Sequence, residues 1–135
     1  MKNIPILLVL ILSFASCVKT PGDGGKASII GKVELIRRVQ INNPASTVDT
    51  ISAPDLSVYI IYGDHISPDD KVDTNPDGDF AFEWLRTGDY TIYVYSEDTT
   101  STAAPLPKVA FEFDVSIMDK SDVIDMNTLY IYDKN

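Results

Sequence analysis

The chain carries a single cysteine and a single histidine, and its Lys plus Arg residues number 11 against 20 Asp plus Glu. Each shortage removes a class of function. One cysteine cannot close an internal disulfide. One histidine, His65, gives no footing for a multi-histidine metal site or for a Ser-His-Asp triad, and it reads as a residue of an exposed loop. No Gly-rich phosphate loop, Gly-x-Ser-x-Gly elbow or Cys-His pair occurs. Carboxylates are plentiful but lie in turn-like contexts, where solvation keeps them ordinary acids, so the expectation is a protein without catalysis and without a cofactor. A net charge of -9 is repelled by phosphate backbones and anionic headgroups, which disfavours nucleic-acid binding and polybasic docking on membranes. No apolar run approaches the ~20 residues that a membrane-spanning helix needs.

What is present is enough for one domain. At 135 residues and 44% apolar, the chain can bury a core of its own but has no room for two. Its first segment has a different purpose. Lys2 precedes an apolar stretch from Ile4 to Leu12, and small residues surround Phe14 in Ser13-Phe14-Ala15-Ser16, the layout of a secretory signal peptide over residues 1–16. Cys17 follows directly. Phe14-Ala15-Ser16-Cys17 resembles the lipobox of bacterial lipoproteins in the relaxed form of the Bacteroides group, with Phe14 where Leu is usual. The resemblance implies cleavage before Cys17, acylation of its thiol with palmitate-type chains, and attachment to the outer membrane of a bacterial envelope. Ordinary cleavage after Ala15, leaving a free thiol, is the alternative reading. Residues 17–26, rich in Gly and Pro, read as a flexible tether, and residues 27–135 as the domain.

From Ala27 onward the apolar residues recur with period two, which predicts strands. Ile29, Gly31, Val33 and Leu35 alternate with Ile30, Lys32 and Glu34; Leu56 to Tyr62, Phe80 to Trp84, Tyr90 to Tyr95, Val109 to Ile117 and Leu129 to Tyr132 follow. Polar clusters such as Asn75-Pro76-Asp77-Gly78 punctuate them. Short strands at this spacing predict an all-β sandwich. Arg37 to Ser52 reads either as an irregular strand or as a pinned loop. Trp84, beside Leu85 and the Phe pair, reads as a core residue.

The segment Val72 to Tyr95 contains Asp77-Gly78, Phe80, Phe82, Leu85, Gly88, Tyr90, Ile92 and Val94 in order. It resembles the carboxypeptidase regulatory-like domain, and Ile29-Ile30-Gly31-Lys32-Val33 is similar to that family's first strand. The resemblance implies a transthyretin-like (prealbumin-like) Greek-key β-sandwich of about seven strands, used as an accessory module in extracellular and periplasmic proteins. It implies nothing about a ligand.

Two groups of side chains are candidates for binding. Tyr59, Tyr62, Tyr93, Tyr95, Tyr130 and Tyr132 lie on alternating strands, so some of these rings face away from the core. Tyr59, Tyr93 and Tyr95 are the candidates to stack on sugar rings or fill a protein interface, the alternative being that such rings cover a sheet face or the core periphery. Asp73, Asn75, Asp77 and Asp79 have the oxygen spacing of the first half of an EF-hand loop, but position twelve is Trp84 and Pro76 interrupts, so a hairpin turn is the stronger reading and calcium the weaker. Completing such a site would require Asp64, Asp69 or Asp70 from another loop. The sequence therefore predicts a lipid-anchored module that binds, with an envelope protein complex as partner or, alternatively, a glycan.

Overall fold

The computed structural model describes residues 19–38 and 48–133. They form a β-sandwich of eight strands: β1 (Asp23–Arg38), β2 (Val48–Ser52), β3 (Ser57–Tyr62), β4 (Asp70–Asp73), β5 (Asp79–Leu85), β6 (Gly88–Glu97), β7 (Lys108–Ile117) and β8 (Val123–Tyr132). One sheet runs in the order β4-β3-β6-β7, all antiparallel. The other is built around β1, which pairs in parallel with β8 along one edge and antiparallel with β5 and β2 along the opposite edge. We call these the β6 sheet and the β1 sheet.

The period-two pattern sends one residue set of each strand between the sheets. Ile29 and Val33 of β1, Phe80 and Phe82 of β5, and Leu129 and Ile131 of β8 meet Val58 and Ile60 of β3 and Ile92 and Val94 of β6. Each such aliphatic or aromatic side chain contributes about 1.5–3 kcal/mol on leaving water. Gly31 makes room for one of them: a Cβ there would stand 2.7 Å from Cζ of Phe80.

Three departures from the sequence reading have physical causes. First, the strands number eight because β2 and β4 are short, polar edge strands with too few apolar residues to announce themselves. β2 lies within the ambiguous stretch Arg37 to Ser52 and pairs with the end of β1, where Arg37 Nη2 donates to Asp49 Oδ2 at 3.2 Å; residues 39–47 lie outside the described chain. β8 also begins earlier than Leu129, at Val123, because a register shift near Asn127 (φ 58°) breaks its alternation.

Second, β1 starts at Asp23, inside the segment read as tether. The glycines there serve close approach. A Cβ on Gly25 would stand 1.7 Å from the Leu85 carbonyl oxygen, where both Asp23 and Ala27 face Leu85 across an irregular register. Upstream, the buried Gly22 amide donates to the Tyr90 hydroxyl at 2.9 Å, and that hydroxyl donates to the Arg86 carbonyl at 2.8 Å. The Gly22 carbonyl in turn accepts the Arg86 amide. Residues 19–26 are thus part of the folded body; Cys17 and the signal segment lie outside the described residues.

Third, Trp84 is 68% exposed, not in the core. Between Ile29↔Phe82 and Ala27↔Leu85, β5 advances three residues while β1 advances two. The additional residue is a β-bulge, and Trp84 takes a left-handed φ of 61°, which turns its indole out and lets Leu85 point in. Such a φ is rare for a bulky residue.

Two outcomes check this account by chemical denaturation. Gly25→Ala loses about 2 kcal/mol or more, because the Leu85 backbone must move; unchanged stability would mean that the β1–β5 approach is looser than described. Tyr90→Phe loses about 1–3 kcal/mol by leaving the buried Gly22 amide without its acceptor, whereas loss of that size from Tyr95→Phe is not expected.

Candidate functional site

On β3 the alternation that buries Val58 and Ile60 puts Tyr59 on the outer face of the β6 sheet, and on β6 the same rule puts Tyr93 and Tyr95 there. Tyr59 is the direct cross-strand partner of Tyr93. Their rings stack with centroids 4.9 Å apart and planes 10° apart. Tyr95 meets both edge-on, at 5.8 Å from Tyr59 and 5.6 Å from Tyr93. Such aromatic pairs contribute about 0.5–1.5 kcal/mol beyond the area they bury. The structure therefore brings together the three tyrosines that the sequence singled out.

The cluster has a covered centre and an open end. Tyr93 is only 7% exposed although it lies on the outer face, because its two neighbours flank it. Burial raises its phenol above the ordinary range, and the charge and hydroxyl of Tyr95, with Tyr59 and Glu112, add to the shift. Tyr95 is 44% exposed and faces Ala110, whose small side chain leaves the ring uncovered. It also lines a cleft of about 250 Å³ at the end of the sandwich where β6 finishes, together with Leu56, Glu97, Lys108 and Tyr132.

Polar groups border the rings. One row across the sheet reads Lys71, Tyr59, Tyr93, Glu112. Beside it the Ser57 hydroxyl donates to Asp73 Oδ1 at 2.7 Å, and Lys71 Nζ lies 3.6 Å from the same oxygen. The Ser57 hydrogen bond holds the Asp73 carboxyl below the usual carboxylate range, with Lys71 adding to it against the opposing effect of burial. Toward the start of β6, Thr91 donates to Asp114 and Ser116 to Asp89. Aromatic surface with hydroxyl, ammonium and carboxylate groups at its border can stack on the apolar side of a ring and hydrogen-bond its polar substituents.

Tyr130 and Tyr132 are not part of this cluster, since β8 belongs to the β1 sheet. Tyr62 lies on β3 but is spent elsewhere: its hydroxyl donates to Asp23 Oδ1 at 3.0 Å, and burial, then Asp23, raise its phenol well above the ordinary value. His65 is exposed in the loop after β3, with Nδ1 2.7 Å from Asp69 Oδ1.

The structure does not gather Asp73, Asn75, Asp77 and Asp79 around a point. Asn75 Oδ1 accepts the amides of Asp77 and Asp79, both at 2.9 Å, and its Nδ2 donates to Asp79 Oδ2. Asp73 is engaged by Ser57 and Lys71, and Asp69 accepts the Tyr62 amide. This is a turn closed by its own side chains. Among the described residues no group of three or more His, Cys, Asp or Glu is placed to hold a metal ion.

One feature has no counterpart in the sequence reading. Lys19, Lys26, Arg86 and Lys120 line a single cavity of about 780 Å³ at the opposite end, where β1 and β8 begin and β5 and β7 finish. These residues are scattered along the chain, so no local pattern foretells the cluster.

No family model matches the chain, and no curated protein matches it. A solved crystal structure of a proposed carbohydrate-binding protein from Pseudomonas aeruginosa is similar to it, with 10% identity, 83% of this chain and 91% of that chain covered, and a TM-score of 0.45.

Proposed function

We propose that this protein is a lipid-anchored β-sandwich of the bacterial envelope that acts by binding rather than catalysis, and that its ligand is a glycan held on the tyrosine face. One observation carries the reading: Tyr95 both completes the tyrosine cluster, edge-on to the stacked pair, and opens into the distal cleft, so a ring seated on it has polar groups on either side. Sugar rings have an apolar side that suits such a surface and hydroxyls that suit its border. Tyr93, buried in the centre, fixes the platform, and Tyr59 and Tyr95 offer the contact area. The signal-like segment before Cys17 supports export and anchoring, and the resemblance to carboxypeptidase regulatory-like domains supports an accessory role.

A second reading, docking on an envelope protein, is favoured by β7. This ten-residue strand is an edge of the β6 sheet, and Val109 and Phe111 on its inner side remain partly exposed. Open edges pair readily with an added strand of another chain.

A glycan array read with the full-length protein is expected to give signal that falls about tenfold with Tyr95→Ala, the scale of one lost aromatic contact, and that survives Phe111→Ser. Signal insensitive to both Tyr59→Ala and Tyr95→Ala would remove the glycan reading. A stoichiometric protein recovered from detergent-solubilised membranes, and lost with Phe111→Ser, would establish the second reading instead. For the anchor, Cys17→Ser is expected to move the protein out of the membrane fraction.

A further inference from the structure

We infer that the end of the sandwich from which the chain leaves toward Cys17 is a docking corner for an anionic lipid surface. The inference uses the anchor reading only to orient the corner. Three observations converge on it.

The first is charge. The cavity lined by Lys19, Lys26, Arg86 and Lys120 contains no acidic side chain. Lys32, Arg37 and Lys71 each have a carboxylate within 4.0 Å, but these four have none among the described residues. Lys19 Nζ rests against the neutral sulfur of Met118 at 3.4 Å. Of the neighbouring carboxylates, Asp23 accepts the Tyr62 hydroxyl and Asp122 accepts the Asp119 amide, and neither lies within 4.0 Å of these cations. Asp64 and Asp89 line an adjoining hollow with Pro21 and His65 on the β3 side, and Lys19 borders both that hollow and the basic cavity. In a chain whose sum is -9, four of the five Lys and Arg side chains without an ion pair among the described residues thus lie at one corner, Lys108 at the distal end being the fifth.

The second is apolar exposure. Trp84, Met118 and Val123 are 68%, 64% and 63% exposed, and all three lie at this end. Val123 is paired with Ser28 on one side of β1, and the bulge carrying Trp84 lies on the other. The left-handed φ of Trp84 holds the indole out of the core. Apolar side chains with a Trp among them, bordered by cations, match the boundary between headgroups and acyl chains.

The third is position. Gly22 is pinned by Tyr90, and Lys19 is already part of the cavity. Cys17 is two residues before Lys19, so an acylated Cys17 lies within about 7 Å of extended chain from it. Anchoring places this corner against the bilayer, where anionic lipids attract each nearby Lys or Arg.

The full chain carrying Cys17→Ser, which has no acyl anchor, tests the corner independently. It is mixed with vesicles of phosphatidylcholine alone or with added phosphatidylglycerol, and its amines are labelled and located by mass spectrometry. Labelling of Lys19, Lys26 and Lys120 is expected to fall several-fold on the anionic vesicles only, with Lys108 at the distal end unchanged and the protection lost in high salt. Lys26→Glu with Lys120→Glu, both at exposed positions, should abolish the preference, and Lys108→Glu should keep it. Equal labelling on the two vesicles would overturn the inference. So would equal protection by free glycerol phosphate without vesicles, which would make the cavity a site for a soluble phosphate. If the wild-type protein fractionates as soluble while the vesicle preference persists, the anchor fails and the docking corner stands.

Discussion

The Tyr90 phenol is the contact on which the arrangement of this molecule turns. Buried between the sheets, it accepts the Gly22 amide and donates to the Arg86 carbonyl, tying the incoming chain to the corner between β5 and β6. Without it the segment before β1 would have a buried donor lacking an acceptor, a cost of about 1–3 kcal/mol. With it, the point where the chain enters the sandwich is held in place. Burial, the largest cause, raises the Tyr90 phenol above its ordinary range.

This constraint separates the two ends of the sandwich. Pro21 packs beneath Gly63 and Gly88, Lys19 lies beside the basic cavity, and β6 runs from Gly88 away from that corner. Tyr95 stands seven residues further along β6, roughly 24 Å at strand rise. In the proposed arrangement the corner meets lipid, and the tyrosine face and its cleft are carried above it. Under that proposal the corner would act as a rigid mount, giving the face one presentation instead of many and lowering the ordering cost of binding an extended ligand.

Legibility followed how local each signal was. Ile29, Val33, Ile92 and Val94 could be assigned to the core from alternation alone, because strand geometry sends every second residue to one side. The faces of Tyr59, Tyr93 and Tyr95 were readable for the same reason. Trp84 was misread because a bulge inserts one residue and inverts the alternation beyond it, and nothing in Phe-Glu-Trp-Leu marks a left-handed turn. Gly25 was misread because glycine serves flexibility and close approach alike, and only the position of Leu85 distinguishes them.

Composition and periodicity alone determined an all-β chain with one core and a tyrosine-bearing outer face, since each depends on residue type and on spacing along one strand. The tertiary structure decided which tyrosines touch, which glycines are immovable, and where charge resides. Those depend on register between strands distant in the chain: cations at positions 19, 26, 86 and 120 become neighbours only when β1, β5 and β8 align at one end. Net charge is a sum and carries no positions, so a chain of -9 could hide a basic corner until it was folded.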